Sequence, residues 1–284
     1  MAREQKHYPL TPGLAALAQR PGRIAAFGVG PNLVPPSIAG LFGLRSIQGC
    51  APMVPARTAE LLACLEGPLF DLRDPRVALP LRQVDSLRHP LLDLLGVDTI
   101  VHADPTLAVR SGLPELFTSA VERFGALARP SSGPRAFWCG GARVVTDAAA
   151  RLQWLADRSA AVHHTVLLEQ APPWALPERG DMRPVADVSR DDTRHELAVD
   201  APSPGIVVLT EAWDPGWRAS LDGEAAQVLV ADHALMAVAV PAGRHALELR
   251  YAPAGFASAM VVAIIALAVV VIAGAWPFAA ARGA

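Results

Sequence analysis

Two tryptophans four positions apart are the residues in this sequence best suited to ligand chemistry. Trp213 and Trp217 flank the turn Asp214-Pro215-Gly216, so both rings are expected at one edge of a folded domain. An exposed aromatic ring stacks on the apolar face of a sugar while neighbouring polar groups bind its hydroxyls. The candidate glycan contact consists of Trp213, Asp214, Trp217, Arg218 and Asp222. The competing hypothesis, which we favour, is that one or both rings fill the end of a hydrophobic core, with Trp217 as the buried ring.

Other residues that often carry chemistry lack the context that it needs. Gly28-Val29-Gly30 follows an apolar stretch, but the third glycine of a dinucleotide fingerprint is missing and Pro31 follows at once. His163 and His164 are adjacent, so in a strand their rings would point to opposite faces, which suits one metal ion poorly. We therefore predict no catalytic, cofactor-binding or metal-binding residue.

Carboxylates and thiols are also present without a clear chemical role. A polar stretch contains the carboxylates Asp181, Asp187, Asp191 and Asp192. Glycoside hydrolysis needs two carboxylates at a fixed separation across a cleft, whereas solvated, turn-forming side chains are the simpler interpretation, which we favour. The cysteines are Cys50, Cys64 and Cys139. Because they are few and widely spaced, they indicate small buried apolar side chains rather than disulfides or a zinc site.

The elements that must position these residues indicate an α+β fold. Short strands such as Arg23 to Val29 alternate with helical stretches such as Thr58 to Leu65, which predicts a mixed α/β N-terminal half. The loop chemistry of Pro130 to Trp138 marks the boundary. The short strands and turns that follow predict an antiparallel β-sandwich as the C-terminal half. Asp222-Gly223 predicts a type I′ hairpin, since both central residues of that turn take positive φ.

A long apolar segment ends the chain. Residues 251–281 contain no charged side chain, and residues 256–275 supply the roughly 20 apolar residues that cross a bilayer core. Trp276 and Phe278 at one end and Tyr251 at the other fit aromatic rings at the two membrane interfaces. The sequence therefore predicts one C-terminal transmembrane helix, with the lipid bilayer as a partner.

The predicted organisation has four parts. A mixed α/β region covers residues 1–130, a β-sandwich domain residues 131–253, a transmembrane helix residues 254–277 and a short tail residues 278–284.

The overall charge is close to balanced. There are 25 basic and 27 acidic side chains, for a net charge of -2. This balance predicts neither nucleic acid nor acidic lipid as a partner. The first 13 residues lack the apolar core of a signal peptide.

Several short motifs together resemble a known family. They are Pro215-Gly216-Trp217, Asp222-Gly223, the stretch Pro241 to His245, and the pair Tyr251 and Pro253, followed by the apolar segment. In this combination residues 207–253 resemble the C-terminal part of the bacterial YfhO-type membrane protein family. Residues 91–103 and 134–138 also look like pieces of that family, so the resemblance extends over most of the chain.

The resemblance implies a function. Family members are expected to be large multispanning proteins related to glycosyltransferases that use lipid-linked sugars, with this soluble domain near their end. Their catalytic acidic residue is expected in an early loop between N-terminal membrane helices, so no catalytic residue is carried over to this chain. The implied role is a non-catalytic, membrane-anchored accessory domain in cell-envelope polysaccharide or glycolipid assembly. Its expected partners are a multispanning helical portion or subunit and, as a candidate, glycan.

Two questions stay open at the level of sequence. An independent membrane-anchored carbohydrate-binding module is the alternative function. The soluble domain would lie outside the cytoplasm by family resemblance, but inside it if a single C-terminal helix were the only signal. Arg244 and Arg250 before the helix and Arg282 after it are too few to decide by the positive-inside rule.

Overall fold

The computed structural model describes residues 9–28, 39–48, 54–66, 81–188, 193–253, 255 and 259–270. The helices in these residues are α1 (Pro12–Ala18), α2 (Ala56–Glu66), α3 (Pro90–Leu94), α4 (Leu107–Ser111), α5 (Ala148–Ala156) and α6 (259–270), with short 3-10 turns at Gly40–Phe42 and Val84–Arg88. The strands are β1 (Arg23–Phe27), β2 (Val97–His102), β3 (Glu115–Ser119), β4 (Phe124–Ala128), β5 (Ala136–Cys139), β6 (Ala142–Val144), β7 (Val166–Leu168), β8 (Met182–Pro184), β9 (Ala186–Asp187), β10 (Arg194–Ala201), β11 (Gly205–Ala212), β12 (Trp217–Leu221), β13 (Glu224–Ala226), β14 (Leu229–Ala231), β15 (Leu235–Val240) and β16 (Gly243–Tyr251).

Within the described residues the strands form three sheets. The N-terminal sheet has the order β1-β2-β4-β3, with β1 parallel to β2 and the other pairs antiparallel. The central sheet has the order β6-β7-β14-β15-β11-β5-β8 and contains one parallel pair, β6 with β7. The outer sheet has the order β13-β12-β16-β10-β9 and is antiparallel throughout.

The central sheet is buried on both faces. Along β11, Ile206 and Val208 belong to a core shared with α2, α3 and the N-terminal sheet. The alternate residues, Val207 and Leu209, belong to a second core that is shared with the outer sheet. A strand covered on both sides favours a continuous apolar run, which is why Ile206 to Leu209 has no polar residue.

The outer sheet has one buried face and one exposed face. Exposed and buried residues alternate without interruption along β10, with Leu197 and Val199 pointing inward. This alternation follows from the two-residue period of a strand on a half-covered sheet. The outward face of β10, β12 and β16 is therefore a regular surface turned away from the core.

A buried ionic cluster joins the N-terminal sheet to the central sheet. Arg23 of β1 donates to the carbonyl oxygen of Leu95 at 3.0 Å and to Thr210 Oγ1 at 2.8 Å. Its guanidinium also pairs with Glu211, which accepts from Arg135 Nε at 2.8 Å. Burial lowers the pKa of Arg23, and it would raise the pKa of Glu211, yet Arg23 and Arg135 hold the pKa of this carboxyl below its usual value. The cluster is therefore ionised and fixes the two sheets to each other.

The predicted fold class is wrong. The described residues form a mixed α/β arrangement of three sheets, consisting mostly of strands, rather than an α/β half followed by a two-sheet antiparallel sandwich and a transmembrane helix. Periodicity locates strands but does not say which strands pair, so neither the third sheet nor the parallel β6–β7 pair was visible in it. The division of the chain at residue 130 stays a prediction.

The predicted transmembrane helix is also corrected. Among the residues that the structure describes, no helix is long and apolar enough to cross a membrane. The described part of helix α6, residues 259–270, is about 18 Å long at 1.5 Å per residue, against a hydrocarbon core of about 30 Å. Hydropathy counts apolar residues without fixing where a helix begins and ends. The rest of the predicted span, residues 254, 256–258 and 271–277, lies outside the described residues, as does the predicted tail.

Candidate functional site

A tight turn at one end of the outer sheet positions the two tryptophans. Asp214 Oδ1 accepts a hydrogen bond from the Gly216 backbone N–H at 2.7 Å, and the Trp217 N–H donates to the Asp214 carbonyl oxygen at 3.1 Å. Gly216 is needed here because a Cβ would lie 2.7 Å from the Tyr251 ring. The turn therefore ends β11 just before Trp213 and starts β12 at Trp217.

Trp217 is a core residue, as predicted. Only 9% of its surface is exposed, and it belongs to the core between the outer and central sheets. Its ring centroid lies 5.3 Å from that of Tyr251 and 5.5 Å from that of His195. Burial, with the nearby Arg135, lowers the pKa of His195, so the imidazole beside Trp217 is neutral near pH 7.

Trp213 has a different environment. Its side chain is half-buried at the edge of the same core. The guanidinium carbon of Arg57, from α2, lies 5.5 Å from the ring centroid, within the range of a cation–π contact. Arg57 is itself held by an ion pair with Glu169 and donates to the His233 carbonyl oxygen at 3.0 Å. One face of the Trp213 ring is therefore covered by a fixed cation.

A cleft of about 400 Å³ lies beside this turn. Four of the five residues predicted from the sequence line it, namely Trp213, Asp214, Trp217 and Arg218, together with Pro215, Ala219, Ala225, Ala226 and Val228. The cleft combines two tryptophans and small apolar side chains with one carboxylate and one guanidinium. This mixture suits a ligand that has both apolar and hydroxyl faces.

Asp222 is not part of the cleft. It lies at the turn between β12 and β13, where Asp222 has φ 54° and Gly223 has φ 88°, which confirms the predicted type I′ hairpin. Its carboxylate lies 2.7 Å from His245 Nδ1 and accepts from the Ala246 N–H at 2.8 Å. These hydrogen bonds lower the pKa of Asp222. Its role is to fix the hairpin.

The two adjacent histidines do not lie in a strand, which is the arrangement considered from the sequence. His163 and His164 lie in a turn, and β7 starts only at Val166. His163 Nε2 is 3.8 Å from Asp93 Oδ2, and His164 Nδ1 is 3.1 Å from the Gly180 carbonyl oxygen. In the part of the chain that the structure describes, no group of three or more His, Cys, Asp or Glu side chains has the geometry of a metal site.

Among the remaining candidate residues, Asp187 is ion-paired, Cys64 is partly buried and Cys139 is buried. Asp187 pairs with Arg135 at 3.1 Å and lies 3.3 Å from His195 Nδ1. Burial raises the pKa values of Cys64 and Cys139 to about 11, so both thiols are protonated and unreactive near pH 7. Residues outside the described ranges are Val29, Gly30, Cys50, Asp191 and Asp192.

Sequence reasoning missed Arg57. It reaches Trp213 from a helix more than 150 positions earlier in the chain. No local motif marks such a contact, because only the packing of α2 against the central sheet brings the two side chains together.

Comparison with known proteins gives a result for one part of the chain. No curated protein and no solved structure matches the chain. The upstream segments at residues 91–103 and 134–138 lie outside the region that a family model matches. Residues 180–263 match the family described as bacterial membrane protein YfhO, which confirms the resemblance over the outer sheet, the tryptophan turn and the start of α6.

Proposed function

We propose that this chain is a membrane-associated accessory domain of a glycosyltransferase-like membrane protein that acts in cell-envelope polysaccharide or glycolipid assembly. A match to a bacterial membrane protein family fits a membrane-associated accessory role. One observation carries the proposal. The matched region runs without interruption from the strands of the outer sheet into α6, an apolar helix whose side chains are all exposed.

Helix α6 has the character expected of a surface that contacts lipid. It contains no polar side chain, and its exposed large residues include Val262, Ile264, Ile265 and Leu267, each between 58% and 65% exposed. Contiguous apolar surface of this kind is uncommon on proteins that stay in water and marks membrane or protein contacts. In the proposed role, a multispanning helical portion or subunit is the neighbour in the membrane, and the soluble part lies outside the cytoplasm.

Membrane fractionation tests this role. The full chain expressed in bacterial cells is expected in the membrane fraction, and the double variant Val262→Asp/Ile265→Asp is expected to shift towards the soluble fraction, because charged side chains are costly in an apolar phase. Val121→Asp is the matched control, since Val121 is 94% exposed and lies far from α6 in the sequence. A parent chain found only in the soluble fraction would contradict the role, as would a double variant that sediments like the parent.

A second candidate function is carbohydrate binding at the cleft. The observation that favours it is the half-buried Trp213 beside Asp214 and Arg218 in a cavity of about 400 Å³. Trp213→Ala is expected to abolish binding of cell-envelope glycans, measured by calorimetry, while the partly buried Trp154 provides the control variant Trp154→Ala. Equal glycan affinity in parent and Trp213→Ala would remove this candidate and leave the accessory role unaffected.

A further inference from the structure

The exposed face of the outer sheet carries arginines in cross-strand register. Arg250 of β16 is the pairing partner of Arg194 on β10 at one side and of Arg218 on β12 at the other. Directly paired residues project to the same face of a sheet, and all three side chains are exposed. We call Arg194, Arg250 and Arg218 the arginine row.

Among the described residues, no carboxylate neutralises two of the three charges in the arginine row. Arg194 pairs with Glu196 at 3.0 Å and with Glu248 at 2.8 Å. Within the described residues, Arg218 donates to the Pro215 and Trp217 carbonyl oxygens, at 2.8 and 2.9 Å. No carboxylate of the described residues lies within ion-pair distance of Arg218 or Arg250.

Like charges directly opposite each other on neighbouring strands destabilise a sheet. At the other end of the same face the pairing is conventional, since Arg244 stands opposite Asp200, 3.8 Å away. The same strand therefore carries a balanced pair at its start and, near its end, the arginine row beside the paired glutamates Glu196 and Glu248, which form ion pairs with Arg194. An anionic partner would offset the repulsion that remains between Arg218 and Arg250.

The arginine row lies at the end of the sheet that leads to the apolar helix. Arg250 is next to the last residue of β16. The described part of α6 starts nine positions after it, a separation of at most about 30 Å even for extended chain. Tyr251, 37% exposed, lies at the same end of the sheet but on its inner face, where it pairs with Trp217. An anionic bilayer presents charged headgroups outside its apolar core, and aromatic rings prefer the boundary between them. Basic side chains and a tyrosine ring that precede an apolar helix match this arrangement.

We propose that the arginine row binds the anionic headgroups of phospholipids and sets the orientation of the outer sheet against the membrane. The proposal rests on the membrane association proposed above and adds the lipid class and the residues that recognise it. Net charge gave no sign of it, because acidic residues elsewhere in the chain balance the total while strand register concentrates arginines at one place.

Vesicle binding of the full chain tests the proposal. Co-sedimentation is measured with vesicles of phosphatidylcholine alone and of phosphatidylcholine mixed with phosphatidylglycerol. The parent is expected to prefer the anionic vesicles. Arg250→Gln should lower that affinity about 5-fold and Arg194→Gln/Arg250→Gln on the order of 10- to 30-fold, from the contribution of a single basic residue near an anionic surface. Arg218 is left unchanged, because it also lines the cleft.

Two variants serve as controls. Arg244→Gln removes the same charge from the same face of β16, about 20 Å along the strand, and should change the affinity less than 2-fold. Arg250→Lys keeps the charge and should retain parental binding. Thermal melts confirm that each variant folds.

The possible results distinguish lipid recognition by the arginine row from the membrane association on which the proposal rests. Equal affinity of the parent for both kinds of vesicle would overturn it, as would equal losses in Arg250→Gln and Arg244→Gln. Loss in Arg250→Gln of binding to a soluble acidic polysaccharide, with vesicle binding unchanged, would also overturn it. In each case binding to phosphatidylcholine alone still reports the membrane association attributed to α6.

Discussion

The two faces of the outer sheet are built from the same strands but differ in role: the inner face stabilises the fold and the outer face is the proposed recognition surface. On the inner face, Trp217, Leu247 and Leu249 are buried against the central sheet. On the outer face, their sequence neighbours Arg218 and Arg250 are exposed and aligned in one row. Because successive residues of a strand project to opposite faces, stability and recognition are encoded by alternate residues of the same short segments. A single substitution should therefore affect one property and spare the other.

The largest expected effect is on the inner face. Trp217→Ala should lower the free energy of unfolding by about 3 to 5 kcal/mol, the range for emptying a large buried aromatic site. Trp213→Ala, at a half-buried site four positions away, should cost clearly less. Thermal or denaturant unfolding of both variants measures the difference. A Trp217→Ala variant as stable as the parent would contradict the assignment of this ring to the core.

Two aspartates at turns sharpen the same contrast between inside and outside. Both Asp232 and Asp222 have positive φ. Asp232 is 2% exposed, and burial raises its pKa to about 7. Asp222 is exposed, and hydrogen bonds to His245 and Ala246 lower its pKa. A raised pKa means that the folded state holds the proton more tightly, so the stability due to Asp232 falls as pH rises from about 4 to about 7. Asp222 acts with the opposite sign and loses its contribution as pH falls below the usual carboxyl pKa.

The variant Asp232→Asn removes the titration and keeps an acceptor for the Leu167 N–H, which Asp232 Oδ1 binds at 2.9 Å. Its stability should depend less on pH, and near pH 8 it should gain on the order of a few kcal/mol relative to the parent. Unfolding curves from pH 4 to 8 give the comparison. Parallel pH profiles for parent and variant would show that the buried carboxyl does not titrate as described.

A smaller effect is expected at the hairpin that joins β12 to β13. A Cβ at Gly223 meets no atom within 4 Å, so substitution there tests backbone strain alone. Gly223→Val should cost about 1 to 3 kcal/mol, because a β-branched residue is strained at φ 88°. Gly223→Asn should cost much less, since asparagine tolerates positive φ. Melting temperatures measure the difference between the two variants. Equal melting temperatures would argue against the positive-φ turn.

The smallest effect on stability is expected on the outer face. Arg250→Gln should change the free energy of unfolding by less than about 0.5 kcal/mol, with any change towards greater stability, because it removes a charge that stands between two others. Thermal melts at low salt show the sign. A clear loss of stability would mean that Arg250 acts in folding rather than in recognition.

Sequence reasoning succeeded where structure is set locally. The Asp222-Gly223 turn was predicted correctly because its two residues suffice to specify positive φ, and the burial of Trp217 followed from its place in an alternating strand. It failed where distant segments meet. The third sheet depends on strand pairing, and the Arg57 contact on helix packing. The arginine row depends on a register between β10, β12 and β16, which one-dimensional periodicity does not contain.

The most direct test of the central claim uses the unmodified chain. Its affinity for anionic and for phosphatidylcholine vesicles is measured as the salt concentration rises from about 0.05 to about 0.5 M, a range over which charges on exposed surfaces become strongly screened. If the outer face recognises anionic lipid, affinity for the anionic vesicles falls with salt until it meets the lower, salt-independent affinity for phosphatidylcholine. Affinities that are the same for both vesicles at every salt concentration would contradict the account.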